Sequence, residues 1–268
     1  MTGLTKMITY KIGEIYFDLN KEIDGWESFR ADEEINISHK ILLSIINEYY
    51  YSYGSEVVSL PIPVELFFRH NSSIMAVDKG MTNFFILSLI EEDSIIAFLI
   101  RAFYTHAVQR HMIQFHSSLI DYRGHGLMFL GPSGIGKTTQ AELWNQYRDA
   151  LIINGDIVFV QETDKSFLGW GTPWHGSSPY CENTNVPVEA LIVLKQTPEN
   201  SIRKLEGFEK VTAVSNSVFY PRWLENGMEL CLETLDHLLS KIPVYELSCR
   251  PDEEAVALTE KIIFGGEN

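Results

Sequence analysis

The stretch GLMFLGPSGIGKTTQAELW at residues 126–144 determines the architecture that we predict for this chain. An apolar run leads into a glycine-rich segment, and residues that favour a helix follow it. Gly131, four further residues and then Gly136-Lys137-Thr138 fit the G-x-x-x-x-G-K-[ST] pattern of phosphate-binding loops. At average composition this pattern arises by chance in about one in a hundred chains of this length. The sequence therefore predicts a strand, a phosphate-binding loop and a helix.

Physical chemistry explains the residue types in this loop. Glycines adopt positive φ angles, so that successive backbone N–H groups turn toward an anion at the electropositive start of a helix. Lys137 is expected to neutralise the β and γ phosphates, and the Thr138 hydroxyl to enter the shell of a magnesium ion. We therefore predict that the loop binds ATP or GTP together with Mg²⁺. The predicted nucleotide-binding residues are Gly131, Pro132, Ser133, Gly134, Ile135, Gly136, Lys137, Thr138 and Thr139.

A candidate metal-binding carboxylate follows the next apolar segment. The run ALIINGD at residues 150–156 places Asp156 just beyond a predicted strand. In proteins with such a loop, a carboxylate at the end of a neighbouring strand commonly organises the magnesium ion. Gly-Asp is also common turn chemistry, so a role as a simple turn residue is the alternative. We predict Thr138 and Asp156 as the metal ligands.

The arrangement of apolar residues predicts two regions. From about residue 113, strands and helices alternate, which indicates an α/β core over residues 113–268 with a helix at 137–148. Residues 1–112 have a mixed α and β pattern, including a helix over 94–112. The segment ISHKILLSIINEYY at 37–50 has apolar residues at helical intervals, and we predict a helix there with a buried stripe.

Composition narrows the choice of partners and compartment. The chain has 21 Lys and Arg residues against 36 Asp and Glu residues, and the net charge of −15 disfavours nucleic acid or an anionic membrane as a partner. Three widely separated cysteines fit a reducing compartment. The longest apolar region is interrupted by acids at 91–93, and no signal peptide is recognisable. We predict a cytoplasmic protein.

The residues around the loop resemble the core of the bacterial HPr kinase/phosphorylases. In FHSSLIDYRGHGLMFLGPSGIGKTT at 115–139, His116 lies fifteen positions before the first glycine of the loop, as expected for that family. The segment NGDIV at 154–158 is similar to the family's Asp-Asp-x-Val segment, with Asp156 in the second aspartate's place. The loop is also similar to that of phosphoenolpyruvate carboxykinases, whose nucleotide domain has the same fold. Later segments resemble a smaller branch of HPr kinase-like proteins, and some of that wider group accompany systems that mature ribosomal peptides.

This resemblance implies a P-loop core and a magnesium-dependent transfer of phosphate from ATP to a serine or threonine hydroxyl of a protein or peptide. It implies that Lys137 stabilises the transferred group, that Thr138 and Asp156 hold the metal, and that either Asp156 or His116 accepts the hydroxyl proton. The implied catalytic residues are thus His116, Lys137 and Asp156. The chain departs from the family in having Gly155 in place of the first aspartate, and it has no Arg-Gly-x-Gly segment, which disfavours HPr itself as the substrate.

Other functions remain open at this point. A nucleotide-dependent accessory partner without transfer activity is favoured by Gly155. A carboxykinase-like enzyme for small molecules would need a longer chain, and a nucleic-acid motor is disfavoured by the acidic balance. Within the segment 171–180, Trp174 and His175 are candidates for contacting an acceptor or the base, and packing is the alternative for Trp174.

Overall fold

A computed structural model describes residues 7–31, 41–46, 50–52, 55–57, 60, 63–87 and 92–265. The chain forms two compact units, residues 1–106 and 107–268. The described residues include five α-helices and two large mixed sheets. This agrees with the predicted α/β class. No helix in the described ranges is both long enough and apolar enough to cross a membrane.

The first unit is built on a six-stranded sheet. Its elements are β1 (Ile8–Ile12), β2 (Ile15–Leu19), β3 (Ile41–Ile46), β4 (Tyr50–Ser52), β5 (Ser55–Val57), β6 (Leu66–His70), β7 (Ser73–Val77), β8 (Asn83–Leu87) and α1 (Glu92–Ala107). The strand order is β1-β2-β3-β8-β7-β6, while β4 and β5 form a separate hairpin. Strand β3 is parallel to both of its neighbours, and the other pairs of the sheet are antiparallel.

The predicted helix over residues 37–50 is wrong for residues 41–46, which form β3. Ile41, Leu43 and Ile45 are buried whereas Leu42 is 38% exposed, so the apolar side chains follow the two-residue period of a strand. Ile41 and Ile45 satisfy both periods, and pairing with β2 and β8 selects the extended form. The remainder of this prediction, at 37–40 and 47–49, lies outside the described residues.

The helix predicted over 94–112 is also shorter than expected. Helix α1 ends at Ala107, a short 3₁₀ turn follows, and His111 has a left-handed φ of 50°. This residue interrupts the helical path, and the next strand begins at Met112. The last five positions of the prediction are therefore wrong because a local change of backbone direction precedes the strand.

The second unit contains the glycine-rich segment. Its elements are β9 (Met112–Tyr122), β10 (His125–Leu130), α2 (Lys137–Arg148), β11 (Leu151–Asn154), β12 (Ile157–Glu162), β13 (Phe167–Trp170), β14 (Asn185–Gln196), β15 (Ser201–Leu205), α3 (Gly207–Ser215), β16 (Val218–Phe219), α4 (Gly227–Lys241), β17 (Val244–Cys249) and α5 (Glu253–Phe264). Strands β9, β12, β13, β14 and β10 form a closed circuit of pairings, and β17 and β15 extend it beyond β14. The helix predicted at 137–148 is confirmed as α2.

Strand β9 changes its partners midway along its length. Its second half pairs with β10 on one edge and β11 on the other, and its first half pairs with β12 and β16. Ser117 is opposite Leu130, the last residue of β10, and His116 is opposite Ile157, the first residue of β12. The end of β10 and the start of β12 therefore meet at adjacent residues of one strand.

An apolar core fixes α2 against the sheet. Trp144 of α2, Phe129 of β10 and Val256 of α5 are fully buried in one cluster. At its margin, Glu260 accepts hydrogen bonds from the Tyr122 hydroxyl at 2.6 Å and from Arg148 Nε at 2.7 Å. This packing holds the beginning of α2 in a fixed position relative to β9.

Candidate functional site

The glycine-rich loop, residues 131–136, connects β10 to α2. Gly131, Gly134 and Gly136 have φ angles of 139°, 78° and 108°. L-residues with a side chain rarely adopt these angles, so glycine is required for this path. The helix that follows begins with Lys137, and backbone N–H groups at such a terminus favour an anion.

Lys137 is a buried cation with neutral partners. The residue is only 6% exposed, and Nζ donates hydrogen bonds to the carbonyl oxygens of Gly131 at 3.1 Å and Pro132 at 3.3 Å. Burial lowers the pKa of the ammonium group, and the charge of Asp156 partly opposes this effect. A buried charge that is solvated by carbonyls alone gains from a nearby anion.

Two hydroxyl groups connect the start of α2 to the neighbouring strands. Thr138 Oγ1 donates to the carbonyl oxygen of Gly155 at 3.1 Å, and Ser118 Oγ donates to the carbonyl oxygen of Lys137 at 2.9 Å. Ser118 lies on β9, where the strand changes its partners. The loop is therefore fixed beside the connection between β11 and β12.

His116 and Asp156 form a hydrogen-bonded pair in that connection. His116 Nε2 lies 3.0 Å from Asp156 Oδ1. The hydrogen bond from His116 holds the pKa of the Asp156 carboxyl below its ordinary value, burial acts in the opposite direction, and the charges of His116, Lys137 and His175 assist the lowering. An ionised carboxylate only accepts hydrogen bonds, so a neutral His116 ring donates from Nε2 and carries its lone pair on Nδ1.

Asn154 positions this carboxylate, although the sequence analysis did not identify it. Its side chain is fully buried, and Oδ1 accepts from the backbone N–H groups of Asp156 at 2.8 Å and Ile157 at 3.0 Å. Its Nδ2 donates to the carbonyl oxygen of Thr172 at 2.8 Å. An asparagine before Gly-Asp is a signal for such a side-chain turn, and it could have been read from the sequence.

The segment 171–180 contributes backbone and small side chains to the site. Trp174 is 5% exposed and its ring centroid lies 6.3 Å from that of Phe159, so this residue belongs to the core. His175 lines the cavity described below. Gly176 has a φ of 59°, and a Cβ there would lie 2.6 Å from Asp156 Oδ2. Glycine at this position thus permits the segment to pass against the carboxylate.

Gly155 is constrained by Ser178 of the same segment. A Cβ at Gly155 would lie 2.0 Å from Ser178 Oγ and 2.5 Å from Ser178 Cβ. Ser178 is itself held in place, because its N–H donates to the His175 carbonyl at 3.1 Å and its Oγ accepts from the Tyr180 N–H at 3.1 Å. The place where the resemblance expects an acid is therefore filled by a serine from another segment.

These residues surround a cavity of about 390 Å³. It is lined by His116, Ser133, Gly134, Gly136, Lys137, Thr138, Thr139, Gly155, Asp156, His175, Ser177 and Ser178. The structure thus brings the three predicted catalytic residues and both predicted metal ligands to one cavity. Of the other predicted loop residues, Gly131 and Pro132 contact Lys137 through their carbonyls, and Ile135 faces a second pocket.

Oxygen donors on this cavity are of the type that magnesium prefers. Thr138 Oγ1 and the Asp156 carboxylate both face it, and carboxylate and hydroxyl oxygens suit Mg²⁺. Over the described residues, no group of three or more His, Cys, Asp or Glu side chains is arranged to hold a metal ion. The protein itself thus offers two oxygen groups at this cavity.

Residues 86–252 match the family model described as "SynChlorMet cassette protein ScmC". This match spans more than half of the chain. The chain belongs to the ScmC family. A solved structure, that of the Hpr(Ser) kinase/phosphatase from Coxiella burnetii, has a TM-score of 0.37 and 10% identity, and it covers 58% of this chain and 99% of its own. No curated protein matches the chain.

Proposed function

We propose that this ScmC-family chain is a P-loop phosphotransferase of HPr kinase-like type. It binds ATP with Mg²⁺ at residues 131–139 and transfers the terminal phosphoryl group to a serine or threonine hydroxyl of a protein or peptide. The observation that carries this proposal is the placement of Lys137 and the His116–Asp156 pair on one cavity at the start of α2.

The residues present fit a magnesium-bound triphosphate. Positive φ angles at three glycines make room for close approach of an anion, and Lys137 has no stronger partner than two carbonyls. Thr138 and Asp156 supply oxygen ligands on the same cavity. The bound nucleotide would supply an electrophilic phosphorus and a leaving group whose charge the metal partly neutralises.

The chain's own groups then divide the remaining tasks. Lys137 Nζ is placed to neutralise charge that spreads over phosphate oxygens, which is the main requirement in phosphoryl transfer. Asp156 has a lowered pKa, which makes it a better metal ligand than proton acceptor. We assign the acceptor's proton to His116 Nδ1, because imidazole exchanges protons near neutral pH and Asp156 would stabilise the imidazolium form.

Radiolabelled ATP provides the direct test. The purified protein, Mg²⁺, γ-labelled ATP and the other proteins of the cassette named in the family description would be incubated together and examined by mass spectrometry. We expect a labelled serine or threonine with wild type, none with Lys137→Ala, and normal labelling with Lys165→Ala, which removes an exposed lysine elsewhere. ATP binding without any Lys137-dependent label would contradict the transfer step.

A second candidate function is that of a nucleotide-dependent accessory protein in the cassette. It is favoured by Ser178, which fills the space where a second carboxylate would stand beside Asp156. On this alternative, Asp156→Asn weakens nucleotide binding, yet wild type transfers no phosphate to any cassette protein. The labelling experiment separates the two functions.

A further inference from the structure

A second pocket lies on the other side of the glycine-rich loop. Its volume is about 580 Å³, within the range of roughly 300–1,000 Å³ that is typical of small-molecule sites. Gly134, Gly136 and Thr139 line both this pocket and the cavity beside Lys137. A ligand can therefore extend from one to the other along the loop.

The walls of this pocket suit a flat, weakly polar group. Ile135, Leu194, Pro198 and Pro251 provide apolar surface. Cys249 also lines it, and burial raises the pKa of its thiol to about 11, so that the sulfur is neutral at physiological pH. Apolar surface with few charges is typical of sites for aromatic rings.

Gln140, one turn into α2, presents an unpaired acceptor to this pocket. The residue is only 3% exposed and lines the pocket. Its Nε2 donates to Cys249 Sγ at 3.3 Å, whereas Oε1 has no hydrogen-bond partner among the described residues. A buried carbonyl oxygen without a partner costs roughly 1–3 kcal/mol, and a ligand N–H group would remove that cost.

The principal side-chain donors around the pocket are already engaged. Gln196 Nε2 donates to the Ile135 carbonyl at 3.2 Å, and Arg250 pairs with Asp252 and Glu254 at 2.9 Å each. Lys195 is exposed to solvent. The buried part of the pocket thus offers an acceptor rather than a donor, which suits a base edge with an amino group and no carbonyl oxygen.

We propose that this pocket binds the adenine ring of the nucleotide, with the 6-amino group donating to Gln140 Oε1. Adenine has an amino group at this edge, whereas guanine and uracil place a carbonyl oxygen there and need a donor. This inference rests on the proposed binding of a triphosphate beside Lys137, and it makes Gln140 a specificity-determining residue for ATP over GTP.

Calorimetric titration with four magnesium complexes tests the inference: ATP, GTP, purine riboside triphosphate, which lacks only the 6-amino group, and tripolyphosphate, which lacks the base. We expect ATP to bind wild type about 3–10-fold more tightly than purine riboside triphosphate, as for one neutral hydrogen bond, and GTP to bind more weakly than ATP. In Gln140→Met the ratio of ATP to purine riboside triphosphate should fall to about one, with little change for the purine compound.

Gln196→Met is the matched control, because it removes an amide of the same pocket whose nitrogen is engaged elsewhere. It should retain the wild-type ratio. Equal affinities of wild type for ATP and purine riboside triphosphate would overturn the inference without any variant, even if Gln140→Met failed to fold. If tripolyphosphate binds while bases are not distinguished, only the adenine assignment fails. If neither tripolyphosphate nor ATP binds, the proposed function fails with it.

Discussion

His116 Nε2 lies 3.0 Å from Asp156 Oδ1, although the two residues belong to different strands and are forty positions apart in the sequence. Strand pairing produces this proximity, because His116 on β9 is opposite Ile157, the first residue of β12. The carboxylate just before that strand therefore faces the imidazole. A pair made in this way is as rigid as the sheet that supports it.

This pair should appear in the dependence of stability on pH. The folded pKa of Asp156 lies below its ordinary value of 3.8, so the ionised form stabilises the fold above that pH, and the contribution is lost as the pH falls through the folded pKa. We expect wild type to have a higher free energy of unfolding than Asp156→Asn at about pH 7, with the difference shrinking toward about pH 3.

Urea unfolding monitored across this range would provide the measurement. Asp164→Asn, at an exposed turn position, is the control and should match wild type throughout. A difference between wild type and Asp156→Asn that stayed constant down to the acid end would contradict the lowered pKa.

Lys137→Met should weaken nucleotide binding without weakening the fold. The substitution keeps the buried chain and removes the charge, and loss of charge-assisted hydrogen bonds should raise the Kd for Mg·ATP by about 10–100-fold. Thermal stability should be unchanged or higher, because a desolvated ammonium is removed. Calorimetry measures the affinity, and Lys165→Met serves as the exposed control. An unchanged Kd would exclude the cavity beside Lys137 as the phosphate site.

Gly155→Ala should be destabilising because of Ser178. The new Cβ would overlap the serine side chain, and forced repacking of this kind costs about 1–3 kcal/mol. Ser178→Gly removes both clashing atoms, so the double variant should be more stable than the sum of the single effects predicts. Gly80→Ala, where the nearest atom is 3.5 Å from the new Cβ, is the control. Additive effects in the double-mutant cycle would show that the contact is not the cause.

Asn154→Ala should disturb both stability and the site. It leaves the N–H groups of Asp156 and Ile157 without their acceptor, at a cost of about 2–4 kcal/mol. Because the turn also orients the carboxylate, affinity for Mg·ATP should fall as well. Unfolding experiments and calorimetry check the two effects, with the exposed Asn216→Ala as control. Full stability in Asn154→Ala would mean that water replaces the amide.

The local part of the site was predictable from sequence. The glycine-rich loop and α2 follow from a pattern within a few residues, where each position has a steric or electrostatic reason. The segment before Asp156 gave its strand correctly, since β11 ends at Asn154. His116 was found through a spacing that the strand pair β9–β10 imposes.

Contacts distant in sequence account for what the analysis missed. From sequence, Gly155 appears as a missing acid, whereas its physical reason is Ser178, a serine on a later segment. Residues 41–46 have apolar positions that fit both a helix and a strand, and only the parallel neighbours β2 and β8 resolve the choice. Trp174 could not be assigned to core or site until its burial was known.

The change of partners along β9 has a consequence for the order of folding. Ser117 reaches Leu130 through the short β9–β10 hairpin, which closes quickly because its strands are neighbours in the chain. The His116 N–H donates to the carbonyl oxygen of Ser217 at 2.8 Å, and Val218 pairs with Phe115, so this edge closes only after a long stretch of chain has been made. The cradle for phosphate is thus assembled early, and the imidazole that handles the proton is secured late, by the C-terminal half of the molecule.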